Sequence, residues 1–299
     1  MFDGCPDSRV RGVSFDNRYT GIPLTAGRDT GVETLWNIWS EGTFVNLSDR
    51  RFGLDTKNRT WTATVGLDRK LSEDVVGGLQ FGLQQGRGSG FSGFTQSETE
   101  GITVGPYLAI RLSPNWAIDG SFSFAESRRD RQIVTLTGTS VVQAWTGNTT
   151  LHWQTTVNEW FLRTKASVSY TRSLADANDL NGTLLGFPIS LHFPEARTSF
   201  AVAEGYAEIS RLFSITTDIH VIPYLELGLH YQFLRPNGGA MLAGDLSTVI
   251  PSAWAGSIRT GARMQLPGNA LLELSAAYLS LGVSDLDVWE GKVRVSMGF

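Results

Sequence analysis

Four histidines, His152, His192, His220 and His230, are the side chains of this sequence best suited to proton transfer near neutral pH. Asp218 and His220 stand two apart, a spacing that puts a carboxylate and an imidazole on one face of a strand. Glu226 and His230 keep the same phase. A relay of this type also needs a nucleophile within hydrogen-bond reach, and none is spaced to join it. No histidine has a serine two residues later. Asp285-x-Asp287 is an acidic pair, but it falls in a polar stretch that reads as a solvated loop. The sequence has no Gly-x-Ser-x-Gly, no P-loop and no Cys/His metal spacing. Arg128-Arg129-Asp130-Arg131 is a charge run suited to a solvated loop or to phosphate contacts. These residues therefore read as a polar stripe. The expectation is no catalytic centre, no metal and no cofactor.

The elements that carry these side chains are strands. Trp61, Ala63, Val65 and Leu67 alternate with Thr60, Thr62, Thr64, Gly66 and Asp68 near 58–69. Leu225, Leu227 and Leu229 oppose Tyr224, Glu226 and His230 near 219–233. The same period of two recurs near 34–46, 74–86, 99–112, 115–127, 139–153, 158–171, 254–266, 270–281 and 287–299. In the last of these, Trp289, Val293, Val295, Met297 and Phe299 share one face. Glu290, Lys292, Arg294, Ser296 and Gly298 share the other. The stretch 197–212 is also a strand, but its phase is open: Ala201, Ala203 and Ile209 compete with Phe200, Val202 and Tyr206. Short turns follow every second strand. The intervening connections are mostly longer and polar, with extremes at 172–196 and 234–252. About twelve strands result.

Composition narrows the setting. Charged residues are 18% of the 299, below the average of about 25% for soluble domains. The net charge of −4 argues against a nucleic-acid partner. No apolar run approaches the roughly 18 residues of a transmembrane helix, whereas a barrel strand needs only about 9–11. The lone Cys5 cannot form an internal disulfide. Met1-Phe2-Asp3-Gly4 has neither the basic start nor the apolar core of a signal peptide. An exported protein would carry this chain as a mature or truncated piece.

Alternation alone does not say which face is inside, since a soluble sandwich or barrel buries its apolar face. Three features favour the opposite arrangement. The polar face carries charges of both signs, namely Arg111, Arg163, Lys165, Glu226, Arg259, Arg263, Glu273, Glu290, Lys292 and Arg294, which suits a lumen of paired charges. Trp61, Trp116, Trp153, Trp160, Tyr231 and Phe233 sit near strand ends on the apolar face, as interfacial girdles do. Pairing the first strand with the last removes the free edges that lipid cannot tolerate. The fold expected is all-β, a twelve-stranded antiparallel transmembrane β-barrel over 33–299, preceded by an irregular segment over 1–32.

At this point the sequence resembles the translocator (β) domain of autotransporters, the type V secretion proteins. The carriers are Trp36-Asn37-Ile38-Trp39, the 61–68 strand, Val76-Gly77-Gly78-Leu79-Gln80-Phe81-Gly82, Pro223-Tyr224-Leu225-Glu226-Leu227-Gly228, Gly268-Asn269-Ala270-Leu271-Leu272-Glu273-Leu274 and the tail from Val293 to Phe299. The resemblance implies a Gram-negative outer membrane, a covalently linked N-terminal passenger brought to the cell surface, and lipid and lipopolysaccharide around the wall. It further implies that Val293, Val295, Met297 and Phe299 are the signal read by the barrel-assembly machinery. Two departures stand out. Only about 32 residues precede the first strand, and they are poor helix formers. No Asn-Asn pair marks the junction, so self-cleavage is not supported. The alternatives are a free-standing porin or channel, an adhesin barrel and, third, a barrel enzyme.

Overall fold

A computed structural model describes residues 34–53, 55–184, 186–216, 219–245 and 247–299. Cys5, Asp218 and the segment 1–32 lie outside the described residues. Twelve long strands make up the wall: β1 (Trp36–Asp49), β2 (Thr56–Lys70), β3 (Val75–Gly90), β4 (Thr95–Ser113), β5 (Trp116–Ile133), β6 (Leu136–Val157), β7 (Trp160–Ala175), β8 (Ala196–Arg211), β9 (His220–Leu234), β10 (Trp254–Leu266), β11 (Ala270–Leu281) and β12 (Leu286–Gly298). Each pairs antiparallel with its neighbours in sequence, and β12 returns to pair with β1. That seam runs without a break from Asn37 opposite Gly298 to Asp49 opposite Leu286. Phe299 extends it: its N–H donates to Trp36 C=O at 2.9 Å, and Trp36 N–H donates to Phe299 C=O at 3.0 Å. The expected twelve-stranded closed barrel is the fold observed.

The two faces are sorted opposite to a soluble barrel. Leu225, Leu227 and Leu229 of β9 are 43, 53 and 52% exposed, while Tyr224 and Glu226 are each 5% exposed. Val65, Leu79, Phe81, Leu83, Ile102, Val104, Phe122 and Leu274 continue the exposed apolar band around the wall. A continuous band of this size is stable only against lipid or a partner. Its limits are marked by aromatic pairs across neighbouring strands. Phe44–Trp61, Phe124–Trp145, Tyr231–Trp254 and Tyr278–Trp289 have ring centroids 4.4, 5.6, 4.3 and 4.9 Å apart. They form one belt at the long-loop end. Trp116–Trp153, 6.5 Å apart, and Trp160, beside Arg211, belong to the other. From Trp116 to Phe124 along β5 is about 26 Å at the usual rise per residue, or about 20 Å of membrane height at the usual strand tilt of about 40°.

Several strands run further than their amphipathic stretch. β5 reaches Ile133 and β6 begins at Leu136, so Arg128–Arg131 lies in a strand ladder rather than in an outer loop. The connection after β5 is only Val134 and Thr135. The stretch 172–196 is likewise not a structureless loop. It contains a hairpin, Asn178–Leu184 with Phe187–Phe193, whose first strand meets β6 at Thr137. Above the belt both faces meet water, so no apolar phase betrays these extensions in the sequence. Within 234–252, Met241–Leu242 pairs with Thr248–Val249.

Placing Arg at Leu227, mid-wall and facing lipid, should cost about 2–4 kcal/mol. Urea titration of the protein refolded into lipid vesicles checks this, and an unchanged midpoint would mean that Leu227 does not face mid-membrane lipid.

Candidate functional site

The site is the interior of the barrel. Its orientation follows from bonds that skip strands, which only the concave side of a closed wall permits. Arg263 on β10 reaches over β9 to Glu208 on β8, with Nη1–Oε1 at 2.8 Å and Nη2–Oε2 at 2.6 Å. Lys165 on β7 reaches over β8 to Glu226 on β9 at 3.2 Å. Arg259 on β10 bonds Glu226 at 3.2 Å and, over β11, Glu290 at 2.6 Å. Arg294 on β12 bonds Glu273 at 3.3 Å and also pairs with Glu41 on β1. Tyr224 OH donates to Glu273 at 2.8 Å, and its ring lies 4.2 Å from the Arg263 guanidinium carbon.

The result is a network covering β7 to β12 and β1. Its six carboxylates are Glu41, Glu204, Glu208, Glu226, Glu273 and Glu290. Its six cations are Arg163, Lys165, Arg259, Arg263, Lys292 and Arg294. Equal numbers leave this wall without net charge. Arginine supplies most of the cations because its fork satisfies two carboxylates at once. Arg111 stands apart at the turn end of β4, 3.7 Å from Asp74.

The facing wall, β2 to β6, is built differently. Its inward positions are Thr60, Thr62, Thr64 and Gly66 on β2, Gln80, Gly82 and Gln84 on β3, Gly101, Thr103 and Gly105 on β4, Ser121 and Ser123 on β5, and Thr146, Asn148 and Thr150 on β6. Asp119 and His152, bonded to each other, lie at the turn-end margin of this wall. Between the two walls is a cavity of about 550 Å³ lined by both, including Thr64, Gln80, Ser121, Asn148, Tyr206 and Lys165.

At the turn end of the lumen a polar cluster ties β1, β2 and β4 together. Trp39 Nε1 donates to Tyr107 OH at 2.8 Å, Tyr107 OH donates to Asp68 at 2.9 Å, and Asn37 donates to Asp68 at 2.9 Å. Two glycines make the space: a Cβ on Gly66 would stand 2.3 Å from the Trp39 ring, and one on Gly78 would stand 2.5 Å from the Tyr107 ring.

Each histidine has a partner. His192 bonds Asp179 at 2.7 Å in the outer hairpin, and His220 bonds Ser214 at 3.1 Å. His230 meets Glu204 at 2.8 Å and Ser257 Oγ at 2.9 Å. A hydroxyl therefore does join His230, from a strand that sequence spacing could not reveal. Ser257 is 4% exposed, too enclosed for a substrate carbonyl to approach it. Asp285 and Asp287 do not act as a pair, since Asp287 is taken by Arg50 at 3.1 Å and Tyr278 OH at 3.2 Å.

Glu204, Tyr206 and Glu208 escaped sequence reasoning because β8 shows no clear phase. Its outward face is Ala203, Gly205, Ala207 and Ile209, mostly too small to signal lipid. Register would have found them: Glu208 stands opposite both Arg163 and Glu226. On β12, Val293, Val295 and Met297 point outward with Phe299, each about half exposed, beside the seam with β1.

A family profile described as "Autotransporter beta-domain" matches residues 38–277. The chain belongs to the autotransporter β-domain family. Solved structures agree on the fold. The translocator domain of autotransporter NalP from Neisseria meningitidis matches with a TM-score of 0.72 at 14% identity, over 90% of each chain. The β domain of the Bordetella autotransporter BrkA matches with a TM-score of 0.69 at 14% identity, over 89% of this chain and 100% of that one. The transport unit of AIDA-I from Escherichia coli gives 0.58 at 12% identity, over 90% and 91%. No curated protein sequence matches. This autotransporter domain is thus an outer-membrane translocator barrel of a Gram-negative bacterium.

Removing one member of a buried ion pair strands the other, at about 3–5 kcal/mol. Glu208→Ala should therefore lower the unfolding midpoint of this domain sharply. Glu208→Leu combined with Arg263→Met should recover much of the loss, because neither charge of this pair is then left without the other, and Glu273 keeps Arg294. Heat-modifiable gel mobility against temperature measures both, and an equal or larger loss in the double variant would contradict the assignment.

Proposed function

We propose that this barrel exports a passenger joined upstream of β1, by way of its own lumen, and acts without catalysis. The observation that carries this reading is the position of Thr34. Gly298 lies opposite Asn37 on the inner side of the seam, and a Cβ on Gly298 would stand 2.4 Å from Thr34 Oγ1. Thr34 therefore lies on the inner side of the wall, which supports delivery of an upstream passenger to the lumen rather than to lipid. An interior with balanced, internally satisfied charge lets a polar chain pass without a strong binding step.

The same reading assigns two partners. Val293, Val295, Met297 and Phe299 form an uninterrupted apolar row on the last strand, exposed beside the closing seam, and serve as the signal for the barrel-assembly machinery. Arg59, Arg87 and Arg128 point outward above Trp61, at the depth of lipopolysaccharide phosphates. Carboxylates share that surface, as in the 3.2 Å Arg87–Glu98 pair, so the contact is a mixed-charge one.

An epitope placed before Met1 tests the export reading in intact cells. Antibody should reach it from outside when the barrel is inserted. An inserted, heat-modifiable barrel whose epitope stays shielded would refute export through this domain. In the same cells, Phe299→Ser should lower the amount of inserted barrel while leaving the epitope exposed on the barrels that do insert; unchanged insertion would refute the signal role.

A further inference from the structure

The inner face of the wall continues above the outer aromatic belt, where β3 to β6 outrun the membrane. Arg129 and Arg131 of β5 keep the inward phase of Ser121 and Ser123, five and seven residues beyond Phe124 of that belt. Neither makes an ion pair or a side-chain hydrogen bond among the described residues. The outward Arg87 and Arg128, by contrast, pair with Glu98 and Asp130. No inward residue of β3 to β6 above the level of Ser123 is a carboxylate. Burial first, and then the charge of Arg131, hold the Arg129 guanidinium below its usual pKa. The groups around the two arginines are donors, and two of them are enclosed. Arg129 stands in register between Thr99 of β4 and Ser140 of β6. Ser140 is 4% exposed, and its Oγ has no hydrogen-bond partner among the described residues. Asn178 opens the outer hairpin, and its Nδ2 is enclosed and equally without a partner there. The hairpin is seated on this part of β6: Thr137 pairs with Asn181, and a Cβ on Gly138 would stand 2.6 Å from Leu180 Cδ2. Continuing that register brings Asn178 opposite Ser140. On the other side β3 leaves room, with Gly86 opposite Thr99 and Gly88 opposite Ser97.

We propose that the inner face of this outer rim binds a tetrahedral oxyanion of the phosphate class, held by Arg129 and Arg131 with Ser140 and Asn178 as neutral donors. Two guanidinium groups match the charge of a phosphate monoester, about −1.5 to −2 at pH 7. Their planar forks take phosphate oxygens in pairs, and the remaining lone pairs suit a hydroxyl and an amide. A carboxylate has one charge and two oxygens, so it answers one fork and leaves the other arginine unmatched. An enclosed donor without a partner is costly, and an anion bound here relieves that cost at Ser140 and Asn178 together. Arg129 is the mobile member: held by no ion pair, it turns onto the anion and uncovers the Ser140 hydroxyl beside it. The site faces the aqueous mouth rather than the lipid, so its ligand arrives through water. The same chemistry is offered by the free phosphate ion and by phosphomonoesters of saccharides. The proposal does not depend on the export reading.

Equilibrium dialysis of the full chain, folded in zwitterionic micelles at constant ionic strength, tests this with three radiolabelled probes: inorganic phosphate, glucose 6-phosphate and acetate. Saturable binding of a phosphate probe, tighter than that of acetate, is the expected result. Arg129→Gln and Arg131→Gln should each weaken it about tenfold or more, and Ser140→Ala severalfold, with heat-modifiable mobility kept. Arg172→Gln removes one charge at the outward position opposite Trp145 and should leave binding unchanged. Tighter binding of glucose 6-phosphate assigns the site to saccharide phosphomonoesters, and tighter binding of inorganic phosphate assigns it to the free ion; either upholds the proposal. Acetate bound as tightly as both phosphate probes overturns the phosphate class. No saturable binding of either phosphate probe to folded barrels overturns the site. So does an equal loss in Arg172→Gln, or full affinity in Arg129→Gln and Ser140→Ala.

Discussion

A backbone in lipid has no water to satisfy its N–H and C=O groups, so every strand needs a partner on both sides. In this chain that requirement is discharged at one place, the seam between β1 and β12. The other strand pairs join neighbours in sequence. The seam alone joins residues some 250 positions apart, and Phe299 with Trp36 completes it. Without it two free edges would face hydrocarbon. With it, the outer face must be apolar and the inner face is released from that demand.

The interior uses that freedom unequally. Charges placed in an enclosed lumen are costly unless paired, and here they are gathered on adjoining strands where each can reach two partners. The network stiffens that side of the wall. The other side carries glycine, serine and threonine, which fill little space and carry no charge. The cavity between the two walls is lined by both, within a circumference that strand number and stagger determine.

Most of this architecture is legible in the sequence because lipid imposes a strict period of two. Leu225, Leu227 and Leu229 against Tyr224, Glu226 and His230 can hardly be read another way. The seam is legible too, since an even number of strands brings the first and last together. What escapes has a common cause. β8 faces lipid with Ala203, Gly205 and Ala207, and so hides the phase that puts Glu204, Tyr206 and Glu208 inside. Arg128 to Arg131 and the hairpin at 178–193 lie above the membrane, where a strand has water on both faces and shows no period. Ser257 meets His230 through register between two strands, which no spacing within one strand discloses. Trp39, tucked over Gly66, was concealed by the neighbouring Trp36 and Ile38, which do obey the outward phase.

The sorting of the two faces underlies the membrane, the lumen and the path through it, and spin-label scanning along β9 measures it directly. Labels at 224 through 229, one at a time in the barrel reconstituted in lipid, are probed for collision with oxygen and with a water-soluble nickel chelate. The account predicts that oxygen, which concentrates in lipid, relaxes labels at Leu225, Leu227 and Leu229 most, with the positions between them shielded from it. The opposite phase, or no period of two, would contradict it.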